Sequence, residues 1–261
     1  MSNSALISET VLANANNYWG DRKGAKINKI IVHHMAAVWT GKRCAQSFQN
    51  PKRGASANYC IGYYNGEIVL CVPENLCAGT TGGYEIDRYA VTIEVANSKM
   101  GEPWAVSDKT LDSLIKLCAD IAKRNSLGEL VKGKNLCWHQ MYAATACPGP
   151  YLLSKMDYIT EKANEINYPK EVKISMGEIT GINTSRGTNA LVLITDGRAT
   201  TGFNKWGVDV IINSKGIITQ IVDGKSNTPI PKGCICLSGH NTAGWYLKQH
   251  CKVGARLKIG R

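Results

Sequence analysis

Two short clusters, far apart in the chain, constrain its fold more than any other feature. The first is Ile27-Asn-Lys-Ile-Ile-Val-His-His34, an apolar run of strand character that ends in histidine. The second is Cys137-Trp-His-Gln-Met-Tyr-Ala-Ala-Thr-Ala-Cys-Pro148, which sets His139 and Cys147 eight residues apart and closes on proline. Taken alone, a histidine and a cysteine at that spacing can be two satisfied loop residues. With one imidazole from the first cluster they supply three protein ligands, the number a catalytic zinc keeps while its fourth tetrahedral position stays open. Such a fold must bring the end of an early strand against a late loop. Because side chains alternate along a strand, only one of His33 and His34 can face that centre.

The 261 residues allow one large domain or two smaller ones, and 44% hydrophobic content is ordinary for a globular chain. The first residues, Met1-Ser-Asn-Ser-Ala-Leu-Ile-Ser-Glu-Thr, have neither a basic region nor a long apolar stretch. No apolar run approaches the ~18 residues of a membrane span. The expectation is a chain made in the cytoplasm without a signal peptide, reaching an outside target only after release. Ten cysteines lie scattered without a framework pattern, so most read as reduced, small apolar residues. Cys44, Cys60, Cys71, Cys118 and Cys251 all sit in such contexts. Cys234 and Cys236 lack the usual two-residue spacing of a metal knuckle.

A net charge of +11 points to an anionic partner. Residues 171–261 carry 12 Lys/Arg against 5 Asp/Glu, and residues 1–170 carry 19 against 15. The shorter C-terminal part is thus the more basic per residue, as expected of a piece that binds.

In order, residues 1–26 read as an irregular lead-in and 27–34 as a strand buried on both faces. A short helix over 42–49 stops at Asn50-Pro51, and strands 59–64 and 67–72 form a hairpin about Asn65-Gly66. Residues 73–89 read as a long loop of the kind that builds substrate sites. In the strand 90–96, Val91, Ile93 and Val95 share one face and Thr92 and Glu94 the other. An acid there is either a solvent-facing residue of an edge strand or a functional one, its pKa raised by burial and lowered by any nearby dication. Ser107 caps a helix to about Asn125, and a last helix covers 151–166. Beyond Asn167-Tyr-Pro-Lys170 the pattern changes to short strands at 190–195, 208–213 and 216–222, a helix at 242–250 and a strand at 256–259.

These motifs in order, Ile-Ile-Val-His-His34, the hairpin from Tyr59 to Cys71, Val-Thr-Ile-Glu-Val95, and Trp-His139 followed by Ala-Cys-Pro148, resemble those of zinc-dependent N-acetylmuramoyl-L-alanine amidases. That family includes phage endolysins and the peptidoglycan recognition proteins, and the resemblance covers about residues 25–165. It implies an α/β fold with a mixed central sheet flanked by helices, T7 lysozyme-like, with a small β-rich α+β domain following. It implies Zn2+ held by His33, His139 and Cys147, with His34 left as a packing or supporting residue. It further implies cleavage of the bond between N-acetylmuramic acid and L-alanine in peptidoglycan, with Glu94 as catalytic acid and base. Thr145 matches a position often held by lysine or threonine that helps the developing oxyanion, and here the chain departs from the lysine version. The tyrosine that some members place just before the hairpin has no counterpart, Ala57 and Asn58 standing there.

The resulting division is a zinc amidase domain at 1–166, a linker at 167–175 and a cell-wall-binding domain at 176–261. From Gly181-Ile-Asn-Thr-Ser-Arg186 through Leu-Ser-Gly-His240 to Gly254, the chain resembles the opening of phosphodiester-glycosidase-like domains. Without an acidic partner motif, His240 is read as non-catalytic and the domain as a binder of an anionic wall polymer. Met176 follows Lys170-Glu-Val172, residues that a ribosome-binding sequence can encode. This raises the expectation of an internally initiated fragment that oligomerises with the full chain. The setting expected is a phage endolysin acting on a Gram-positive, clostridial-type wall, with a host autolysin as the alternative. Two other classes compete. A peptidoglycan sensor would lack the cysteine ligand, and a nucleic-acid binder would leave the His/His/Cys set without a purpose.

Overall fold

The computed structural model describes residues 2–169, 171–174, 181–183, 190–194, 207–224 and 229–259. The chain divides into two units, Met1–Asn167 and Tyr168–Arg261. In the first, the strands are β1 (Glu9–Thr10), β2 (Tyr18–Asp21), β3 (Lys29–His34), β4 (Tyr59–Ile61), β5 (Ile68–Leu70), β6 (Leu76–Ala78), β7 (Ala90–Val95) and β8 (Leu136–Trp138). The helices are α1 (Gly41–Ser47), α2 (Tyr84–Asp87), α3 (Asp108–Arg124) and α4 (Gly149–Asn167). Six strands form a mixed sheet in the order β1-β5-β4-β7-β3-β8, antiparallel only between β4 and β5.

The two faces of this sheet differ because the strands alternate. Ile30, Val32, Tyr59, Ile61, Val91, Ile93 and Val95 pack with Leu114, Leu117 and Ile121 of α3 and Leu152, Met156 and Ile159 of α4 in the main core. On the opposite face, Cys60 and Val69 pack with Cys44, Ala45 and Phe48 around α1, while Ile31 packs with Ala90 and Cys137. One step along β3 from Val32, His33 projects on this second face, away from α3 and α4. Glu94 projects there too, and Thr92, fully buried, shares its side.

The expected helices form with their caps. The Ser107 hydroxyl accepts the Thr110 N–H at 3.3 Å, and Leu111, Leu114, Ile115, Cys118, Ile121 and Ala122 are all buried. The β4–β5 hairpin turns where expected, with Gly66 at φ 72°. A Cβ on Gly66 would lie 2.4 Å from Ser113 Oγ and 2.5 Å from the Lys109 carbonyl oxygen. Gly66→Ala is therefore expected to cost about 2 kcal/mol in a denaturant melt, through both backbone conformation and overlap with α3.

The N-terminal lead-in differs from expectation, since it is held in place. β1 adds in parallel to β5, and β2 pairs antiparallel with β6 inside the segment read as a loop. Glu74 anchors this strap from a fully buried position. Its carboxylate accepts from the Tyr59 hydroxyl at 2.5 Å, from Arg124 Nη2 at 2.6 Å and Nη1 at 3.0 Å, and from Asn125 Nδ2 at 3.1 Å. Its backbone N–H donates to Asn3 Oδ1, and Arg124 also donates to the Ser2 carbonyl. Glu74→Gln keeps the shape but removes one of the two carboxylates that pair with Arg124, leaving it Asp120 alone. A loss of about 2 to 3 kcal/mol by urea denaturation is expected, the range for hydrogen bonds to charged groups.

The second unit contains β9 (Glu171–Ile174), β10 (Gly181–Asn183), β11 (Ala190–Ile194), β12 (Gly207–Ile212), β13 (Ile218–Gly224), β14 (Ile235–His240), α5 (Asn241–His250) and β15 (Arg256–Ile259). Five strands form a sheet in the order β10-β11-β14-β12-β13, and β15 pairs in parallel with β9. This is the expected small β-rich α+β domain. β9 falls in residues read as linker, and β14, not anticipated, is central. Val208, Val210, Ile212, Ile218, Leu237 and Leu247 form its core. All ten cysteines are free thiols, eight of them buried. Met176 and the His240 side chain lie outside the described residues.

Candidate metal centre

Three neighbouring parallel strands, β7, β3 and β8, end side by side. The register pairs His33 with Glu94, and Ile30, Ile31 and Val32 with Leu136, Cys137 and Trp138, so that His139 follows directly beside His33. Carboxyl ends of parallel strands are where open α/β sheets present their ligand sites. Cys147 arrives from the loop that follows: a 3-10 turn over His139–Met141 reverses the chain, and Gln140 N–H donates to the Cys147 carbonyl at 3.1 Å. At the start of α4, Gly149 (φ 82°) passes so near His34 and Trp104 that a Cβ would meet both at 3.2 Å.

One nitrogen each of His33 and His139 and the Cys147 sulfur lie within 4.8 Å of one another. Among the described residues this is the only such His/Cys/Asp/Glu group found. The His33 and His139 rings are 4.5 Å apart, and Cys147 Sγ is 3.7 Å from His33 Nδ1. A tetrahedral zinc with bonds of roughly 2.0 to 2.3 Å needs its donors about 3.3 to 3.8 Å apart, and the 3.7 Å between His33 Nδ1 and Cys147 Sγ lies in that range. His33 is 1% exposed, and its Nε2 and the Glu94 Oε2 are buried atoms without a protein hydrogen-bond partner. Such atoms are costly unless another species satisfies them, and a cation with its water is one such species.

The electrostatics of the bare protein agree. Burial, with His139 and His34 adding, holds the His33 imidazole well below the usual histidine range, and burial lowers His139 also. Both are therefore neutral, the form that binds metal. Burial pushes the Cys147 thiol up to about 12, with Glu94 adding to the rise and the His34 N–H opposing it. A dication beside the sulfur would reverse that balance. The His34 N–H donates to Cys147 Sγ at 3.4 Å, a contact that also suits a thiolate. Burial raises Glu94 to about 8, opposed by the charge of Arg53.

These residues line a cleft of about 390 Å³. Thr145 lines it, its hydroxyl accepting the Cys147 N–H at 3.2 Å and keeping its own O–H to donate. Thr80, from the segment read as a substrate loop, lines it as well. His34 packs edge-on against Trp104 at 5.4 Å and contributes to the wall. Trp104, at φ 60°, was not anticipated, because nothing in its sequence context points to a site. Asn58 is wholly buried and bridges strands through Thr92 and Val72. Cys236 is buried beside Ser238 and belongs to the second unit's sheet. No helix among the described residues is long and apolar enough to cross a membrane.

A family model described as N-acetylmuramoyl-L-alanine amidase matches residues 23–150, a span that contains His33, Glu94, His139, Thr145 and Cys147. No curated protein matches the chain. Among solved structures, the chain is similar to the catalytic domain of XlyA at 18% identity, covering 60% of this chain and 99% of that one, with a TM-score of 0.49. It is similar to a mutant endolysin from Bacillus subtilis at 19% identity, covering 60% and 99%, with a TM-score of 0.49. It is also similar to the N-acetylmuramoyl-L-alanine amidase LysCS from Clostridium intestinale at 18% identity, covering 59% and 97%, with a TM-score of 0.44.

Proposed function

Over residues 23–150 the chain belongs to the N-acetylmuramoyl-L-alanine amidase family and is an amidase of peptidoglycan, and from this we propose that it cuts between N-acetylmuramic acid and L-alanine with Zn2+ held by His33, His139 and Cys147. The observation that carries this reading is the convergence of those three donors beside Glu94 at the ends of adjacent parallel strands. Bound there, zinc supplies Lewis-acid polarisation of the amide carbonyl and acidifies a water near neutral pH.

The chain's own groups do the rest. Glu94 takes a proton from the attacking water and passes it to the leaving nitrogen. A carboxyl held up to about 8 by burial releases a proton readily near neutral pH, and a neighbouring cation draws its pKa down into the range of a base. Thr145 donates its hydroxyl to the oxyanion that forms, as a neutral donor in place of a charged one. The wall formed by His34 and Trp104 bounds the cleft on one side.

The second domain serves as the cell-wall-binding part, its excess of Lys and Arg matched to an anionic wall polymer. The lytic role is that of an endolysin, the setting that the motif resemblance favours. Mass spectrometry of digested sacculi tests the bond cleaved: intact glycan strands beside free peptides beginning with L-alanine are expected. Glycan fragments, or peptides cut within the stem, would refute it. Lysis abolished by a chelator and restored by zinc is the matching result for the metal.

A further inference from the structure

Trp19, on β2, is 47% exposed, yet its ring is held in place. The indole N–H donates at 3.0 Å to Oδ2 of Asp87, the wholly buried last residue of α2. The same oxygen accepts the Thr80 backbone N–H at 3.0 Å, and the Thr81 N–H reaches both carboxylate oxygens at 3.2 Å. A carboxylate persists at such a depth only when its oxygens are well satisfied, so Asp87 ties the indole and residues 80 and 81 into one unit. The indole nitrogen also lies 3.6 Å from where a Cβ on Gly79 would stand, which rests the ring against the backbone entering Thr80. Thr80 lines the cleft of the metal centre. Trp19 thus stands beside that cleft, fixed to its edge.

A second aromatic backs it. The Trp19 and Tyr84 rings meet edge-on with centroids 6.2 Å apart, and the Tyr84 hydroxyl donates to the Asp21 carbonyl at 3.1 Å. Lys23 Nζ and the Arg88 guanidinium lie 5.4 and 5.2 Å from the Tyr84 ring centre. An exposed aromatic that is already immobilised loses little entropy when a ligand lands on it. With its N–H committed to Asp87, the indole offers a ligand only its carbon surface. That surface selects a flat group with an apolar face and polar edges. A pyranose has this form, with C–H bonds on its face and hydroxyl and N-acetyl groups at its rim for the neighbouring cations. The peptide stem, an extended chain, has no ring to lay there.

We propose that Trp19, backed by Tyr84, is a sugar platform that takes an N-acetylhexosamine ring of the glycan strand next to the muramic acid whose amide is cut. This rests on the reading of the cleft as the place of cleavage. A platform so placed makes the protein act on glycan strands in preference to an isolated muramyl peptide.

The test uses the zinc-loaded full chain and two soluble substrates with the same peptide stem, one carrying a single muramic acid and the other a tetrasaccharide of the glycan strand. The wild type is expected to favour the tetrasaccharide in kcat/KM. Trp19→Ala should lower that preference about tenfold, through KM and not kcat, as for the loss of one well-packed aromatic contact. Equal kcat/KM values in the wild type, or an unchanged ratio in a folded variant, overturn the proposal whatever happens to the separate rates. A second measurement needs neither a variant nor cleavage. Chitotetraose titrated into the wild type should shift the assigned Trp19 indole 1H–15N resonance, and a resonance that stays in place overturns the proposal equally. If the wild type cuts neither substrate while the indole resonance shifts, the cleavage reading falls and the sugar platform stands.

Discussion

Cys147→Ser is expected to abolish amide hydrolysis, by at least about a thousandfold in kcat/KM, while leaving the first unit folded. The sulfur is the only soft donor of the three, and a serine hydroxyl does not ionise to replace it. In the metal-free protein, burial keeps the thiol protonated, with a pKa of about 12. Removing it therefore removes no charge interaction from the folded state. Cys147 is also half-buried and belongs to none of the hydrophobic clusters, so no core cavity opens. A stability change within about 1 kcal/mol should accompany the loss of function. Zinc content, circular dichroism and release of dye from labelled cell walls measure the three quantities. Retained hydrolysis with wild-type zinc content would show that another residue completes the ligand set.

The residues of this site were legible in the sequence because each proposed ligand stands at the end of a recognisable element. His33 terminates an apolar run, His139 follows a short apolar strand, and Cys147 is fixed by the proline after it. Strand alternation excluded one of His33 and His34, and the register of β3 with β7 and β8 shows why His33 is the inward one. What stayed hidden has a common cause: its partners are backbone groups or residues far away in sequence. Asp87 reads as one acid in a polar loop, since it accepts from the Thr80 and Thr81 backbone N–H groups and from the Trp19 indole, far away in sequence. The strap of residues 2–10 reads as irregular, because β1 gains its pairing from β5 and its anchor from Glu74 and Arg124. β9 was likewise invisible, its partner β15 lying at the opposite end of the second unit. Trp104 escaped because no periodic pattern brings it to the wall beside His34.

Glu94 carries the other large effect, and it separates function from stability. Glu94→Gln keeps the shape of the side chain and removes its ability to take up and release a proton, so activity should fall by about 10² to 10⁴. In the metal-free protein the same change should stabilise the fold at alkaline pH. The ordinary carboxyl value of 4.5 applies to the unfolded chain, and burial raises the folded value to about 8. Between those values the unfolded state has lost its proton and the folded state has kept it, so each step up in pH favours unfolding of the wild type. Glutamine does not titrate. The two proteins should match below pH 4.5, diverge through neutrality, and stay apart above pH 8 by an amount on the order of a few kcal/mol. Urea melts of both chelated proteins at pH 4, 6 and 8 measure the divergence. Zinc should shrink it, because a cation beside the carboxylate stabilises the charged form that burial penalises. A constant difference across that range would mean that water or Arg53 compensates the charge in the bare protein. The acid's value to catalysis would then have to come from its position on β7 alone.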